Sequence, residues 1–299
     1  ERRKVNFHSV TMQLLYIAKR CRLDILTTVS FLSTRMKNPD EDDWGKLRRC
    51  LQFLKGTIDD PLILGGKDIH KLQAWIDASY SVHCDRRSHT GGTMSWGRGC
   101  TLPTSSKQKL NTKSSTEAEV IGLSDYLNNV IWARMFIEGQ GYEVSDTVIY
   151  QDNESAMKLA INGLMSSGKL TRHIDNRYFW IKDRLKSDNM RIEHCRTHLM
   201  IADFFTKPLQ GALFKRLRAV ILGHETIEWL AEDMINSNNN IGADVSTNSS
   251  PPSLKRVGNN RRNDDNRIDS VENTCSIRTY KEALTGMDDV HENGNDADK

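Results

Sequence analysis

Residues 72–80 read LQAWIDASY, in which a strand-like run at 72–76 leads directly into an acidic residue, Asp77. Two further strand-like runs follow at 92–98 and 100–105, joined by a turn that contains glycine. Apolar residues then recur at three- and four-residue spacings over 116–139, which predicts a long helix. Three strands followed by a helix indicate that an α/β unit begins here.

The alternation of strands and helices continues along the chain. Compact apolar strands are predicted at 147–150 and 190–194. Helical spacing covers 154–161, 172–186 and 201–222. The fold class that follows is α/β, with a mixed five-stranded sheet and helices packed on it.

Both ends of the chain differ from this central unit. Residues 1–67 are helical in pattern, with one helix at about 42–55. From Ser237 onward the chain is rich in Asn, Asp and Ser, and Tyr280 is its only aromatic residue. So little apolar surface cannot offset the entropy of ordering, which predicts disorder for 237–299. The sequence thus divides into a helical segment (1–67), an α/β domain (68–223) and an extension (224–299).

The composition excludes several classes of protein. No run approaches the roughly 18–20 apolar residues of a membrane-spanning helix. The six cysteines are scattered without a C-x-x-C pair, which excludes a disulfide scaffold and argues against a structural zinc module. We expect reduced thiols in an intracellular protein. The chain starts with ERRK, without an initiator Met or an apolar signal region, so we expect a piece of a longer polypeptide.

Four carboxylates stand near predicted strand ends and helix starts. They are Asp77, Glu119, Asp152 and Asp203. Such positions meet at one edge of an open α/β sheet, so the four side chains are predicted to converge. Converging carboxylates repel one another and need cations, and an all-oxygen ligand set favours Mg²⁺ or Mn²⁺. Two such ions suit the hydrolysis of a phosphodiester bond.

Each of these acids also has a purely structural interpretation. Asp77 can be a turn residue, and Thr116 with Glu119 matches a helix capping box. Asp152 and Asn153 can cap the next helix. The prediction of a metal site therefore depends on the whole set and its order, not on any single member.

Seven short blocks carry a resemblance to a known family. They read DASY (77–80), SHTGG (88–92), SSKQK (105–109), SSTEAE (114–119), YQDNESA (150–156), TRHI (171–174) and ADFFTKPLQG (202–211). In this order they resemble the ribonuclease H domain of copia-type LTR retrotransposon Pol polyproteins. The likeness covers roughly residues 8–223, and its first part, 8–66, resembles the segment that links the polymerase to the nuclease.

The resemblance implies a ribonuclease H-like fold and a metal-dependent endonuclease that hydrolyses RNA in RNA–DNA hybrids during reverse transcription. The family's metal-binding acids fall on the same four positions, with two Mg²⁺ ions, or Mn²⁺, as cofactors. The family's catalytic loop histidine falls on His194, which can equally be an exposed loop residue.

The resemblance also implies partners. No Tyr-x-Asp-Asp polymerase motif occurs in this sequence, so the polymerase portion of the same polyprotein is an expected partner. The RNA–DNA hybrid is the other, and no membrane is expected. The compartment implied is a cytoplasmic particle or the nucleus.

Contacts to the nucleic acid are expected from two groups of residues. Small polar side chains next to the acids can recognise the 2′-hydroxyl of the RNA strand. These are Ser79, Thr116 and Asn153. Basic side chains can hold phosphates without reading the base sequence. These are Lys107, Lys109, Arg172 and His173.

Two alternatives stay open. The chain can be an inactive retrotransposon remnant that serves only as a nucleic-acid-binding or structural module. It can also be an integrase-type strand-transfer enzyme, although that class expects a three-acid set ending in Glu, where this chain has Asp203. The resembling family usually has Pro at the positions of Leu23 and Arg196, neither of which is one of the four acids.

Overall fold

A five-stranded mixed sheet forms the centre of the fold. The computed structural model describes residues 2–66, 68–162 and 172–230. The described residues form seven strands in all. They are β1 (Gly65–Gly66), β2 (Lys71–Ser79), β3 (His89–Ser95), β4 (Gly97–Arg98), β5 (Thr101–Lys107), β6 (Asp146–Gln151) and β7 (Met190–His194). The order in the sheet is β5-β3-β2-β6-β7, with β1 and β4 paired separately. Strand β3 is antiparallel to β2 and β5, whereas β6 is parallel to β2 and β7. The predicted α/β class and mixed five-stranded sheet are confirmed.

Strand β2 lies at the centre of the sheet and is buried on both faces. Residues 74–78 are all buried, including Asp77, which is only 2% exposed. A strand covered on both faces has a nearly continuous apolar sequence rather than an alternating one. An acid at this position costs free energy unless hydrogen bonds or cations compensate its charge.

Eight α-helices surround the sheet in the described part of the chain. They are α1 (Arg2–Ala18), α2 (Leu26–Arg35), α3 (Glu41–Gly56), α4 (Ser115–Gly139), α5 (Glu154–Asn162), α6 (Arg172–Ser187), α7 (Asp203–Thr206) and α8 (Gly211–Ile221). Helices α3 and α4 agree with their predictions within one residue at each end. The single helix predicted over 201–222 is wrong, because α7 and α8 are separate. Pro208 lies between them and lacks the backbone N–H that a continuous helix needs.

Two clusters of buried apolar side chains lie on opposite faces of the sheet. The α4-side core joins α4, α5 and α6 to the sheet. Its members include Leu72, Ile76, Val120, Leu123, Leu127, Val130, Ala160 and Ile181. The connection-side core joins α1, α2 and α3 to α7, α8 and the other face. Its members include Phe7, Leu14, Val29, Leu47, Trp75, Ile201, Phe205, Leu217 and Ile221.

Hydrogen bonds also join the first helices to the sheet and to α7. In α2, Thr27 Oγ1 donates to the carbonyl oxygen of Phe204 at 2.6 Å. Ser30 Oγ donates to the carbonyl oxygen of Ser105 in β5 at 2.7 Å. Each buried bond of this kind contributes roughly 0.5–1.5 kcal/mol. The predicted segment 1–67 therefore takes part in holding α7 against the sheet.

Further observations concern membranes, cysteines and the tail. None of the described helices is long and apolar enough to cross a membrane. The five cysteines within the described residues are all free thiols. The tail predicted to be disordered, 237–299, lies outside the described residues.

Candidate metal site

Three of the four predicted acids meet at one edge of the sheet. Asp77 lies near the end of β2, and Asp152 directly follows β6, the parallel neighbour of β2. Asp203 is the first residue of α7, which packs against β2 and β3. One carboxylate oxygen from each of the three lies within 4.8 Å of the other two. The structure thus brings together acids that are far apart in the sequence.

Glu119 approaches the same place from α4. The N-cap of α4 is Ser114, whose hydroxyl accepts a hydrogen bond from the N–H of Glu117 at 3.2 Å. The capping box considered for Thr116 and Glu119 is therefore wrong, and Glu119 is not used as a cap. Glu119 is 5% exposed, and its carboxylate accepts a hydrogen bond from Nε2 of Gln151 at 3.3 Å, a contact that the sequence did not predict.

Three of the acids, Asp77, Glu119 and Asp152, line an open cavity of about 440 Å³. Polar residues that line it include Asp77, Ser79, Glu119, Asp152, Asn153 and Lys207. Ser79 and Asn153, both predicted to contact nucleic acid, thus lie beside the acids. Asn153 also caps α5, because its Oδ1 accepts a hydrogen bond from the N–H of Ala156 at 3.0 Å. Its position suits both of its predicted roles.

The electrostatics of the acid cluster are compatible with a bound divalent cation. Burial, together with the negative charges of Asp77 and Asp152, raises the pKa of Glu119 to about 9. Burial and the charge of Asp77 also raise the pKa of Asp152 and of Asp203. A raised pKa means that burial first, and the neighbouring negative charges second, disfavour the ionised form of these carboxyl groups, and a bound cation would offset both effects. An oxygen-only donor set with excess negative charge fits Mg²⁺ or Mn²⁺.

Two side chains that the sequence analysis missed hold the acids in place. The hydroxyl of Thr206 donates a hydrogen bond to the carboxylate of Asp77. The Lys207 ammonium lies 2.7 Å from Oδ1 of Asp203 and 3.9 Å from Oδ2 of Asp77. Lys207 could have been found, because residues four apart on one helical turn are neighbours and Asp203 precedes it by four. Thr206 has no comparable local signal.

His194 ends β7 beside the site. In the sheet register it pairs with Gln151, the residue before Asp152. Burial and Asp77 raise the pKa of Asp152, whereas the charges of Lys207 and His194 lower it. The imidazole is therefore near enough to influence the acid electrostatically. Its side chain is exposed, which suits both a proton-transfer residue and an ordinary exposed residue.

The predicted phosphate contacts are more scattered than the acids. Lys107 donates to Asp85 at 2.7 Å and lines a different cavity, of about 230 Å³. Lys109 is exposed, and Thr116 is half-buried in the first turn of α4. Two further predicted contacts at the start of α6 have side chains outside the described part of the chain, namely Arg172 and His173. The structure places Ser79 and Asn153 with the acids but not Lys107.

Comparison with solved structures gives limited similarity. Ribonuclease H1 from the halophilic archaeon Halobacterium salinarum matches 44% of this chain and 90% of its own chain, with a TM-score of 0.33 and 12% sequence identity. No family model matches the sequence.

Comparison with curated sequences gives longer matches. The retrovirus-related Pol polyprotein from transposon TNT 1-94 of Nicotiana tabacum is 30% identical over 222 residues, which are 74% of this chain and 16% of that polyprotein. The Pol polyprotein from transposon RE2 of Arabidopsis thaliana is 31% identical over 211 residues, which are 70% of this chain and 14% of that polyprotein. The chain spans only a small part of these relatives' length. It is therefore a homologue of one segment of retrovirus-related Pol polyproteins of the copia type.

Proposed function

We propose that the chain carries a retrotransposon ribonuclease H. Its domain at 68–223 hydrolyses the RNA strand of RNA–DNA hybrids with Mg²⁺, leaving a 5′-phosphate and a 3′-hydroxyl. The observation that carries this proposal is the meeting of three carboxylate oxygens within 4.8 Å. The homology to Pol polyproteins supports it, because reverse transcription produces such hybrids.

Each residue of the site would have its own role in the reaction. Asp77, Asp152, Asp203 and Glu119 would hold the divalent cations. Bound Mg²⁺ would activate the attacking water and neutralise charge that develops on the phosphodiester. Thr206 keeps the carboxylate of Asp77 oriented through its hydrogen bond. His194 at the end of β7 would transfer a proton at the leaving group.

The substrate would be held beside the acids by small polar groups. Ser79 and Asn153 line the acidic cavity, where a hydroxyl and an amide can bond to the 2′-hydroxyls that distinguish RNA from DNA. Phosphates further along the hybrid would meet the other predicted contacts. These are Thr116, Lys107, Lys109, Arg172 and His173. Lys107 lies in a separate cavity, so its contact would be remote from the cleaved bond.

The relatives also suggest a setting for this activity. Since they are much longer polyproteins, we propose that the polymerase portion of the same polyprotein presents the hybrid. A cytoplasmic particle or the nucleus is the compartment in which such an enzyme would act.

A cleavage assay tests the proposal directly. The full chain is incubated with end-labelled RNA–DNA hybrid, with and without Mg²⁺, beside an Asp77→Asn variant. Loss of one acid removes several kcal/mol of charge stabilisation, so we expect cleavage to fall at least about a thousandfold while thermal unfolding is preserved. Asp125→Asn is the control, because Asp125 is exposed on α4 and pairs with Arg177 outside the cavity.

The assay also separates the alternatives. Hybrid binding without Mg²⁺-dependent cleavage by the wild-type chain would indicate an inactive remnant. Strand transfer of DNA ends without hybrid cleavage would indicate an integrase-type enzyme. Undiminished cleavage by Asp77→Asn would remove Asp77 from the site.

A further inference from the structure

The acidic cavity already contains a cation that belongs to the protein. Among the described residues that line it, Lys207 is the one with a cationic side chain. Its Nζ lies 2.7 Å from Oδ1 of Asp203 and 3.9 Å from Oδ2 of Asp77. The side chain is 40% exposed, whereas those of Asp203 and Asp77 are 9% and 4% exposed. The ammonium therefore closes the acids off from one side while it remains reachable from solvent.

The backbone fixes the position of this lysine. The N–H of Lys207 donates to the carbonyl oxygen of Asp203 at 2.9 Å, which places the two residues one helical turn apart. Pro208 follows and ends the helix there. The ordering of α7 therefore sets the distance between the lysine and the acids. Only the flexible stem of Lys207 can move its charge away from them.

The lysine and a divalent cation need the same oxygens. Asp203 and Asp77 are two of the three residues whose carboxylate oxygens lie within 4.8 Å of one another. A bound Mg²⁺ would take oxygen ligands from this group. The Lys207 ammonium already interacts with carboxylate oxygens of Asp203 and Asp77. A doubly charged ion attracts these carboxylates more strongly than one ammonium at the same distance, so a sufficient concentration of Mg²⁺ would compete with the ammonium for these oxygens.

We propose that Lys207 is a positioning residue that acts as a built-in, displaceable counter-ion of the acid cluster. Without a divalent cation, it limits the repulsion between Asp203 and Asp77 and keeps the two carboxylates close to each other. When a divalent cation binds, Lys207 gives up these oxygens, and this competition sets the cation concentration that the site requires. The inference rests on the proposed function in one respect, namely that the cluster binds Mg²⁺.

Magnesium binding without nucleic acid tests this role. The full chain is titrated with magnesium chloride by isothermal calorimetry, and its thermal unfolding is followed at each concentration. The variants are Lys207→Met, which removes the charge and keeps the length, and Lys207→Arg, which keeps the charge. Lys107→Met is the matched control, because Lys107 makes the same 2.7 Å contact with an aspartate outside the acidic cavity.

The proposal predicts that removing the charge strengthens cation binding. We expect Lys207→Met to bind Mg²⁺ roughly three- to tenfold more tightly than the wild type, because its competitor is gone. Without Mg²⁺ the same variant should unfold at a lower temperature, and saturating Mg²⁺ should remove this deficit. Lys207→Arg and Lys107→Met should bind Mg²⁺ with nearly wild-type affinity. Lys207→Gln repeats the test with a second neutral side chain.

The outcomes separate this inference from the proposed function. Unchanged or weaker Mg²⁺ binding in both neutral variants, with normal binding by the wild type, overturns the role of Lys207 and leaves the nuclease proposal intact. A stability deficit that persists at saturating Mg²⁺ reduces Lys207 to an ordinary structural contact. Failure of the wild type to bind Mg²⁺ at all overturns both proposals.

Discussion

The two cores on either side of the sheet are assembled in different ways. The α4-side core uses residues between Leu72 and Met190, so its helices follow the strands along the chain. The connection-side core combines α1, α2 and α3 with α7 and α8, from opposite ends of the described chain. The acid site draws on both, because Glu119 comes from α4 and Asp203 from α7. Its geometry therefore depends on contacts between regions that are distant in sequence.

Two adjacent glycines of β3 show how closely the helices on each side approach the sheet. A Cβ added at Gly91 would lie 2.5 Å from Cγ2 of Thr206 and 2.9 Å from the carbonyl oxygen of Ala202. A Cβ added at Gly92 would lie 2.6 Å from the ring of Tyr126. Successive residues of a strand face opposite sides, so Gly91 meets the connection side and Gly92 meets the α4 side.

Removing the connection side is the most severe test of this comparison. We expect a chain of residues 68–230, without 1–67, to lose cooperative unfolding, because α7, α8 and Trp75 lose the apolar partners that bury them. The loss should exceed the whole net stability of an ordinary domain, about 5–15 kcal/mol. Urea denaturation followed by circular dichroism shows whether a cooperative transition remains, and hybrid cleavage should disappear as well.

Residues 1–67 supplied as a separate peptide provide the control for the truncation. If the truncated chain fails because it lacks its part of the connection-side core, the peptide should restore some cooperative unfolding and some hybrid cleavage. Cooperative unfolding and hybrid cleavage by 68–230 alone would show that the domain does not need the apolar contacts of residues 1–67. They would instead support an independent domain with the predicted boundary at residue 68.

Exchanging each glycine for alanine separates the two layers. Gly91→Ala must displace Thr206 and the backbone before Asp203, whereas Gly92→Ala displaces a ring about two turns along α4 from Glu119. We expect each to lose about 1–3 kcal/mol of stability, as overpacked cores do. Only Gly91→Ala should also lower hybrid cleavage, by at least roughly tenfold, because misplaced catalytic groups reduce the rate steeply.

Cleavage by the two alanine variants has to be compared where both are folded. Thermal unfolding curves identify that temperature, and Mg²⁺ is kept saturating so that weaker cation binding does not mimic a slower reaction. Equal loss of cleavage in the two variants would mean that the site does not depend on the connection side more than on the α4 side.

The sequence was sufficient to predict those parts of the fold and of the site whose signal lies in neighbouring residues. Strand β2 and helix α4 were predicted because apolar runs and three- and four-residue spacings are written in neighbouring residues. The placement of Asp77 and Asp152 at one sheet edge follows from general rules for parallel strands. Glu119 stayed ambiguous because Ser114 and Thr116 are both good helix caps, and the tertiary structure uses Ser114.

Contacts between distant segments left no signal in the sequence. The hydrogen bond from Thr27 to Phe204 spans 177 residues and joins two segments that look unrelated when read separately. The same holds for Thr206, which is recognised as a partner of Asp77 only after α7 has packed against β2. The break at Pro208 was visible in the sequence, yet apolar residues on both sides of it suggested one helix.

Acid should weaken the connection side selectively, through a buried histidine. His89 of β3 is 2% exposed, with its Nδ1 3.0 Å from Nε2 of His83 and its Nε2 2.8 Å from Oγ of Ser105. Burial, and then the neighbouring His83, lowers the pKa of His89 to about 3. Ser105 in turn accepts the hydrogen bond from Ser30 of α2, so the imidazole supports the connection side. Among the described buried residues, His89 is the only histidine.

A folded-state pKa below the usual value of about 6.5 means that the unfolded chain binds the proton more readily. The contribution of His89 is therefore intact above about pH 6.5 and is lost as the pH falls toward 3. Between pH 7 and pH 5 it should decrease by about 2 kcal/mol. Urea denaturation at both pH values measures this in the wild type and in His89→Gln, which share all other titrating groups, with the exposed His8→Gln as control. If His89→Gln loses as much stability on acidification as the wild type, His89 is not the source, and acid does not distinguish the two sides of the sheet.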